Sequence, residues 1–391
     1  MKVCCFVIFA IAASAVAEVS PTWKPYIEKH SAAQDRLNLL RDLMQGAEKR
    51  SPKNLRLVAS ALSDPSDYVR TTALFALQDN KSATTFKALM QEIQYAEQNQ
   101  GAQLLSGYRE DRYLKQMTPL LKHPNPNAQW IAIQGMGLTM NRKAFWPLIS
   151  ALNHLDAPLR WRVSISAMRF DTPNHRLAAL KLLDDKNPRC RDVAADLMGF
   201  WKEPRGVNKL IAQLADKDSE AAWSALVALG HFHDSKTKAR IFREFSNKDP
   251  IQRGKIATIL GLQGGGEYVD PLFKAMLDDP SEPVRQDCLR ALIKIGKPSI
   301  PKMLELAVYE NPRERGTAVI ALGEIALPEG KPALLKAITD SDAVVRMFTA
   351  TALGSFRGAD IEEALMQATK DAEPRVRDAA AKSLAKIRIS G

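Results

Sequence analysis

Apolar residues recur along this chain at helical spacing inside a longer period. In Asp371–Ile387 (DAEPRVRDAAAKSLAKI), Asp371 and Glu373 mark a turn and Pro374 suits a first helical position. Val376, Ala380, Leu384 and Ile387 then fall on one stripe of a helix. The same arrangement is written repeatedly upstream. Taking Arg377 as the zero of a column, its equivalents are Arg346, Arg315, Arg285, Arg253, Ala222, Arg191, Trp161 and Gln129, at steps of 31, 31, 30, 32, 31, 31, 30 and 32 residues. Three positions on lies a small residue in most copies (Ala380, Thr349, Ala318, Cys288, Ala225, Ala194, Ser164, Ala132). Seven positions on lies a large apolar one, from Leu384 back to Met136, often followed by glycine (Gly354, Gly323, Gly261, Gly230, Gly199, Gly137). Turns rich in Asp, Asn and Pro precede each zero, as in Asn187-Pro188 and Asn311-Pro312.

Several columns agreeing at one period define a solenoid. Each unit is expected to be two antiparallel helices, the first before the Asp/Pro turn (Pro271–Leu277, Lys331–Ile338) and the second carrying the zero. Asp and Asn oxygens should accept from the free N–H groups at the second helix's start. The glycine should help terminate that helix. Leu and Ala columns interdigitate between neighbours, so no unit buries its face alone.

The pattern D-x-(D/E)-P-x-V-R-x-x-A-x-x-A-L-G, seen in Asp279–Leu292, Asp340–Gly354 and Asp371–Leu384, resembles the short HEAT-like repeats of phycobilisome linker-chromophore lyases. The resemblance runs from Pro119 to Ile387 and extends upstream to Arg56. It implies an all-α fold, a right-handed superhelical α-solenoid of about ten two-helix repeats. It leaves function open, because this repeat class hosts scaffolds, lyase subunits and DNA-repair enzymes alike.

Residues 1–17 read as a signal peptide, with Lys2, the apolar run Val3–Ala13 and the small-x-small motif Ala15-Val16-Ala17 before Glu18. The expectation is export, to the periplasm or outside the cell, with Cys4 and Cys5 removed alongside the leader. Residues 18–52 are expected to form an N-terminal helical cap, with Leu37, Leu39, Leu40 and Leu43 at helical spacing. Residues 53–116 should hold a first repeat (Asp64-Pro65 in the turn, Arg70 at the zero) and a degenerate copy near Gln98. Residues 117–391 should be continuous repeats, with no Pro/Gly/Ser linker and hence one elongated domain.

Composition narrows the picture further. The 391 residues are 46% hydrophobic and 25% charged, with no apolar run long enough to span a membrane in the body of the chain. Cys190 and Cys288 lie three repeats apart, roughly 30 Å at ~10 Å per helix layer, which excludes a disulfide. Cys288 occupies the small-residue column and reads as a core thiol.

Candidate chemistry is sparse. The arginine column could be a ladder for an anionic polymer, but bidentate forks suit bonding to neighbouring turns, and acid precedes each zero, as Asp371 and Glu373 precede Arg377. Twinned acids such as Asp216/Asp218 read as helix caps, since no calcium loop accompanies them. His231 and His233 beside Asp234 lack further ligands for a metal. Iron-binding HEAT-like hydroxylases use His-Glu dipeptides, of which this chain has none. Gly264-Gly265-Gly266 lacks the Lys-Ser/Thr and the preceding strand of a phosphate loop and reads as a lengthened turn. No catalytic, cofactor or metal residue is expected.

Net charge is +11, or +10 without Lys2 (11 − 1), spread diffusely and densest at Lys236, Lys238, Arg240 and Arg243. Export argues against nucleic acid as partner. An anionic envelope polymer or lipid surface remains open, as does a role as subunit of a lyase or other enzyme complex. The leading expectation is a non-catalytic scaffold binding a protein or peptide in a concave groove. The position after each zero should face that groove, and it holds Thr71, Trp130, Arg162, Trp223, Gln286 and Met347, with Asp192, Gly254, Gly316 and Asp378 between. Trp130, Arg162 and Trp223 are the candidate partner-binding residues, because large aromatics and arginine dominate interfaces.

Overall fold

A computed structural model describes residues 18–45 and 50–389. The expected leader and its cleavage point after Ala17 lie outside those residues. Among the described residues are 24 α-helices and no strand, an all-α solenoid. The chain divides into two compact units, Met1–Glu203 and Pro204–Gly391.

The first unit opens with Lys24–Lys29 and Ala33–Gln45, followed by helix pairs beginning with Pro52–Ser60 and Asp67–Asp79. Residues 81–116 contain Ala83–Glu92, Gln98–Ser106 and Asp111–Met117, so the 59-residue step from Arg70 to Gln129 spans a complete pair. Phe86, Tyr108 and Tyr113 pack edge-on or tilted against one another there, with ring centroids 4.8–5.0 Å apart. The second unit runs from Val207–Gln213 to Pro374–Ile389 in alternating first and second helices.

Second helices start where the turn residues place them. The side chains of Asp156, Asn187, Asp218, Asp249, Asn311 and Asp342 each accept from a backbone N–H in the first turn, offsetting donors that the helix leaves open. The +3 column is buried, as in Ala318 and Cys288, and so is the +7 column, as in Leu322 and Leu292, except for the half-buried Met168. Cys190 and Cys288 are buried free thiols, and burial pushes the Cys288 thiol up to about 12.

The glycine column divides: helix Ser219–Gly230 ends on its glycine and Gly354 directly follows the last residue of Ala343–Leu353, as the sequence predicts, but two other copies do not stop there. Helix Pro250–Gln263 runs past Gly261 and ends at Gly264, whose φ is +66°. Helix Pro312–Ile325 likewise runs past Gly323. A Cβ at Gly261 would lie 2.8 Å from Ala291 Cα, and one at Gly323 would lie 2.8 Å from Ala352 Cα. These glycines let consecutive second helices touch backbone to backbone, a packing role rather than a stop signal.

The N-terminal segment is tied into the first repeat by buried polar groups. Ser20 N–H donates to Ser63 Oγ (2.9 Å) and its hydroxyl to Glu92 Oε2 (2.6 Å). Trp23, fully buried, donates Nε1–H to Asp64 Oδ2 at 2.7 Å. Arg56 Nε donates to the other Glu92 oxygen at 2.7 Å. Buried carboxylates persist only where partners replace their water, so both acids fix this segment in place.

Candidate functional site

The arginine column resolves first. Arg253, Arg315, Arg346 and Arg377 each donate from Nη1 to two carbonyls of their own turn, five and six residues back, at 2.7–3.1 Å. The opposite edge of the fork reaches the next repeat. Arg253 Nε and Nη2 donate to Asp279 (2.8 and 2.8 Å), Arg315 to Asp340 (2.8 and 2.8 Å), and Arg346 to Asp371 (2.8 and 2.9 Å). The carboxylate partner is therefore the acid of the following turn, the neighbouring-turn bonding expected of the fork, and not the acid that precedes each arginine in its own turn. An own-turn acid pairs with Arg70 (Asp67) and with Arg285 (Glu282). Gln129 keeps half of the grip, donating to His123 O at 2.9 Å.

Arg36 repeats the full geometry without standing in the column as read from sequence. Its Nη1 donates to His30 O and Ser31 O (2.7 and 2.8 Å), and Nε and Nη2 donate to Asp64 (2.7 and 3.0 Å). Helix Ala33–Gln45 is thus bonded like the second helix of an incomplete repeat. These arginines join turns, and in Arg36, Arg253, Arg315 and Arg346 both edges of the fork are taken.

The ladder makes stability depend on acid. Arg253, Arg315 and Arg346 hold the carboxyls of Asp279, Asp340 and Asp371 below the usual range. Their contribution is complete above the unfolded carboxyl pKa near ~4 and is lost as pH falls through the depressed folded values. The urea midpoint of the native chain should therefore fall more between pH 6 and pH 3 than that of Asp340→Asn. Parallel decreases would remove the ladder from acid denaturation.

The densest basic piece is partly neutralised by its own neighbours. On Ser235–Arg243, Lys238 pairs with Glu267 and lies 5.1 Å from the Tyr268 ring centroid, and Arg240 pairs with Glu244 at 2.6 Å. Lys236 and Arg243 stay exposed. Asp234 caps that helix, accepting from Thr237 N–H at 2.9 Å, and His231 and His233 are exposed. Among the described residues no three His, Cys, Asp or Glu are grouped to hold a metal. A hollow of about 130 Å³ is lined by Met276, Leu306, Glu282, Arg285 and Arg313, small beside ligand clefts of ~300 Å³ upward. Its charged groups bond one another.

Two of the three anticipated residues come together. Trp130 on Pro126–Leu138 and Arg162 on Ala157–Ala167 hold the same column position on consecutive second helices. The guanidinium carbon of Arg162 stands 4.7 Å from the Trp130 ring centroid and 5.6 Å from that of Trp161. Gln134 Oε1 accepts from Arg162 Nη1 at a long 3.5 Å. The guanidinium is half-buried, and burial lowers its pKa with no carboxylate acting against it. Trp223 belongs to the second unit, half-buried on Ser219–Gly230, with its indole N–H buried and without an acceptor.

Trp161 escaped the sequence reading. It occupies the zero column, where arginine grips turns elsewhere, and it is 36% exposed. An indole cannot make the ladder's bonds, so this departure from the column was the available signal.

The fold is that of an α-solenoid built from paired helices. A family model described as HEAT repeats, the class that the turn-and-arginine pattern resembles, matches residues 239–323, 269–347 and 331–390. Among solved structures, the chain is similar to human deoxyhypusine hydroxylase in complex with glycerol (18% identity, 65% of this chain and 99% of that one, TM-score 0.28). It is similar to yeast importin-beta (12% identity, 90% and 53%, TM-score 0.45). It is also similar to the CpcE–CpcF complex of phycocyanin lyase from Nostoc sp. (18% identity, 54% and 94%, TM-score 0.29). No curated protein matches the chain.

Proposed function

We propose that this chain is an exported, non-catalytic HEAT-repeat scaffold that docks a protein or peptide on the face of its second helices, in the periplasm or outside the cell. The Trp130–Arg162–Trp161 cluster carries the reading. It gathers two indoles and a guanidinium that makes no ion pair, the side chains most often found at the energetic centre of interfaces, on regular helices that hold them in register. The ladder arginines are committed to turns, and half of the Lys236–Arg243 piece is committed to acids, which disfavours a dedicated polyanion surface. Export is supported by the composition of residues 1–17 and by Ser20, already bonded into the repeats three residues after Ala17.

The test is a crosslinking pull-down from the native cell envelope with chain beginning at Glu18, washed at low and high salt, beside a Trp130→Ala/Trp161→Ala variant and a separate Trp223→Ala variant. A stoichiometric protein that survives high salt and is lost from the double variant is the expected result. Polysaccharide or lipid released by salt from all variants alike would replace this reading with a charged-surface one. Mass spectrometry of the chain from its native host should give an N-terminus at Glu18, and an intact Met1 would end the export proposal.

A further inference from the structure

We infer that the Arg162 site recognises a carboxylate, carried on an acidic segment of a peptide or protein, seated between Trp130 and Trp161. This rests on the docking role proposed above and adds the chemistry of the ligand. An arginine offers two different surfaces: its planar face, which stacks on aromatic rings, and its N–H edge, which matches the two oxygens of a carboxylate. At Arg162 the indoles of Trp130 and Trp161 satisfy the cation from nearby. Of the N–H donors, one reaches an acceptor, Gln134 Oε1 at 3.5 Å.

The contrast within the same fold is informative. Arg36, Arg253, Arg315 and Arg346 each fill both edges of the fork with carbonyls and an aspartate. Arg162 is half-buried like Arg253, Arg315 and Arg346 yet makes no carboxylate bond. Withdrawing a guanidinium from water without an acid is unfavourable in the free protein, and an incoming carboxylate would recover that deficit in surroundings where charge-assisted bonds are strong. Rings beside the cation also exclude water from the contact. A basic ligand would place like charge against the same buried guanidinium, and a purely apolar one would leave its donors unpaired.

Fluorescence anisotropy on the full chain tests this with three labelled decapeptides, Glu/Ser, Lys/Ser and Leu/Ser, against the native protein, Arg162→Gln, Arg162→Lys and Trp130→Ala/Trp161→Ala. Circular dichroism melts confirm that each variant is folded. The Glu/Ser peptide should bind the native chain best, and Arg162→Gln should weaken it at least about tenfold, the scale of a charge-assisted pair. Arg162→Lys should recover part of that loss, since charge returns without the fork. A diffuse pull by the 55 basic residues would barely notice the loss of one, so equal Glu/Ser binding by Arg162→Gln overturns the assignment. Preference for the Leu/Ser or Lys/Ser peptide, abolished in the double tryptophan variant, overturns the carboxylate while leaving the docking face standing. Binding of every peptide unaffected by the tryptophans overturns both.

Discussion

Arg36→Ala should destabilise the N-terminal unit by about 3–5 kcal/mol, the cost of leaving a buried carboxylate without its cation. Asp64 is fully buried, and its oxygens accept from Arg36, Trp23 Nε1–H and Ser66 N–H. Without the guanidinium, two neutral donors would face a whole negative charge. Arg36 also ties the His30 and Ser31 carbonyls to its helix, so the segment from Ser20 to Gln45 should loosen as one piece. Hydrogen exchange should show lost protection across residues 18–79, with residues 204–389 unchanged. A change below ~1 kcal/mol in urea denaturation would show that solvent reaches Asp64 and that the network is dispensable.

Gly323→Leu should cost ~3 kcal/mol or more, the upper range for overpacking, because the new side chain meets backbone that cannot rotate away. Its Cβ alone would stand 2.4 Å from Ala352 Cβ and 2.8 Å from Ala352 Cα. Gly316→Ala, on the same helix, supplies the opposite expectation. Its Cβ would meet the Phe348 ring at 3.4 Å, an ordinary contact, and alanine is favoured over glycine in a helix by up to ~1 kcal/mol. Thermal melts should move down for the first and hold or rise for the second. A tolerated Gly323→Leu would mean that the second helices slide past one another freely.

The columns made the fold legible because each position of a repeat faces the same neighbour in every copy, so selection for that contact repeats at the same period. Leu322, Leu353 and Leu384 could be read as core, and Asp342 and Asn311 as caps, without coordinates. Direction was harder. Nothing in the local pattern says that Arg315 reaches forward to Asp340 rather than back to Glu310, because both acids stand near a turn and the choice depends on how consecutive helices are offset. Arg36 was invisible for a related reason: its turn is His30-Ser31, which lacks the Asp-Pro spelling, although backbone carbonyls serve its Nη1 equally well. Gly230 and Gly354 do mark helix ends, but Gly261 and Gly323 hold the same position in helices that continue for two more residues. Of the proposed site, Trp130 and Arg162 were legible as large side chains on one column. Trp161 was assigned to a column whose usual chemistry it cannot perform, and only its distance to Arg162 places it with the others.

Because arginine and its aspartate acceptor lie 25 residues apart at Arg315 and Arg346, within a spacing of 31 between successive arginines, each rung is written inside about one period. Duplicating Arg315–Val345 in tandem would deliver a second arginine, a second acceptor and the turn between them in a single event. The new junction would then be closed by the same bonds as the old ones, with no compensating substitution required. A chain wired in this way can lengthen or shorten by whole units during descent while every intermediate remains bonded. A cut out of phase would separate donors from acceptors at once. The ladder thus favours gain and loss of complete repeats over partial ones.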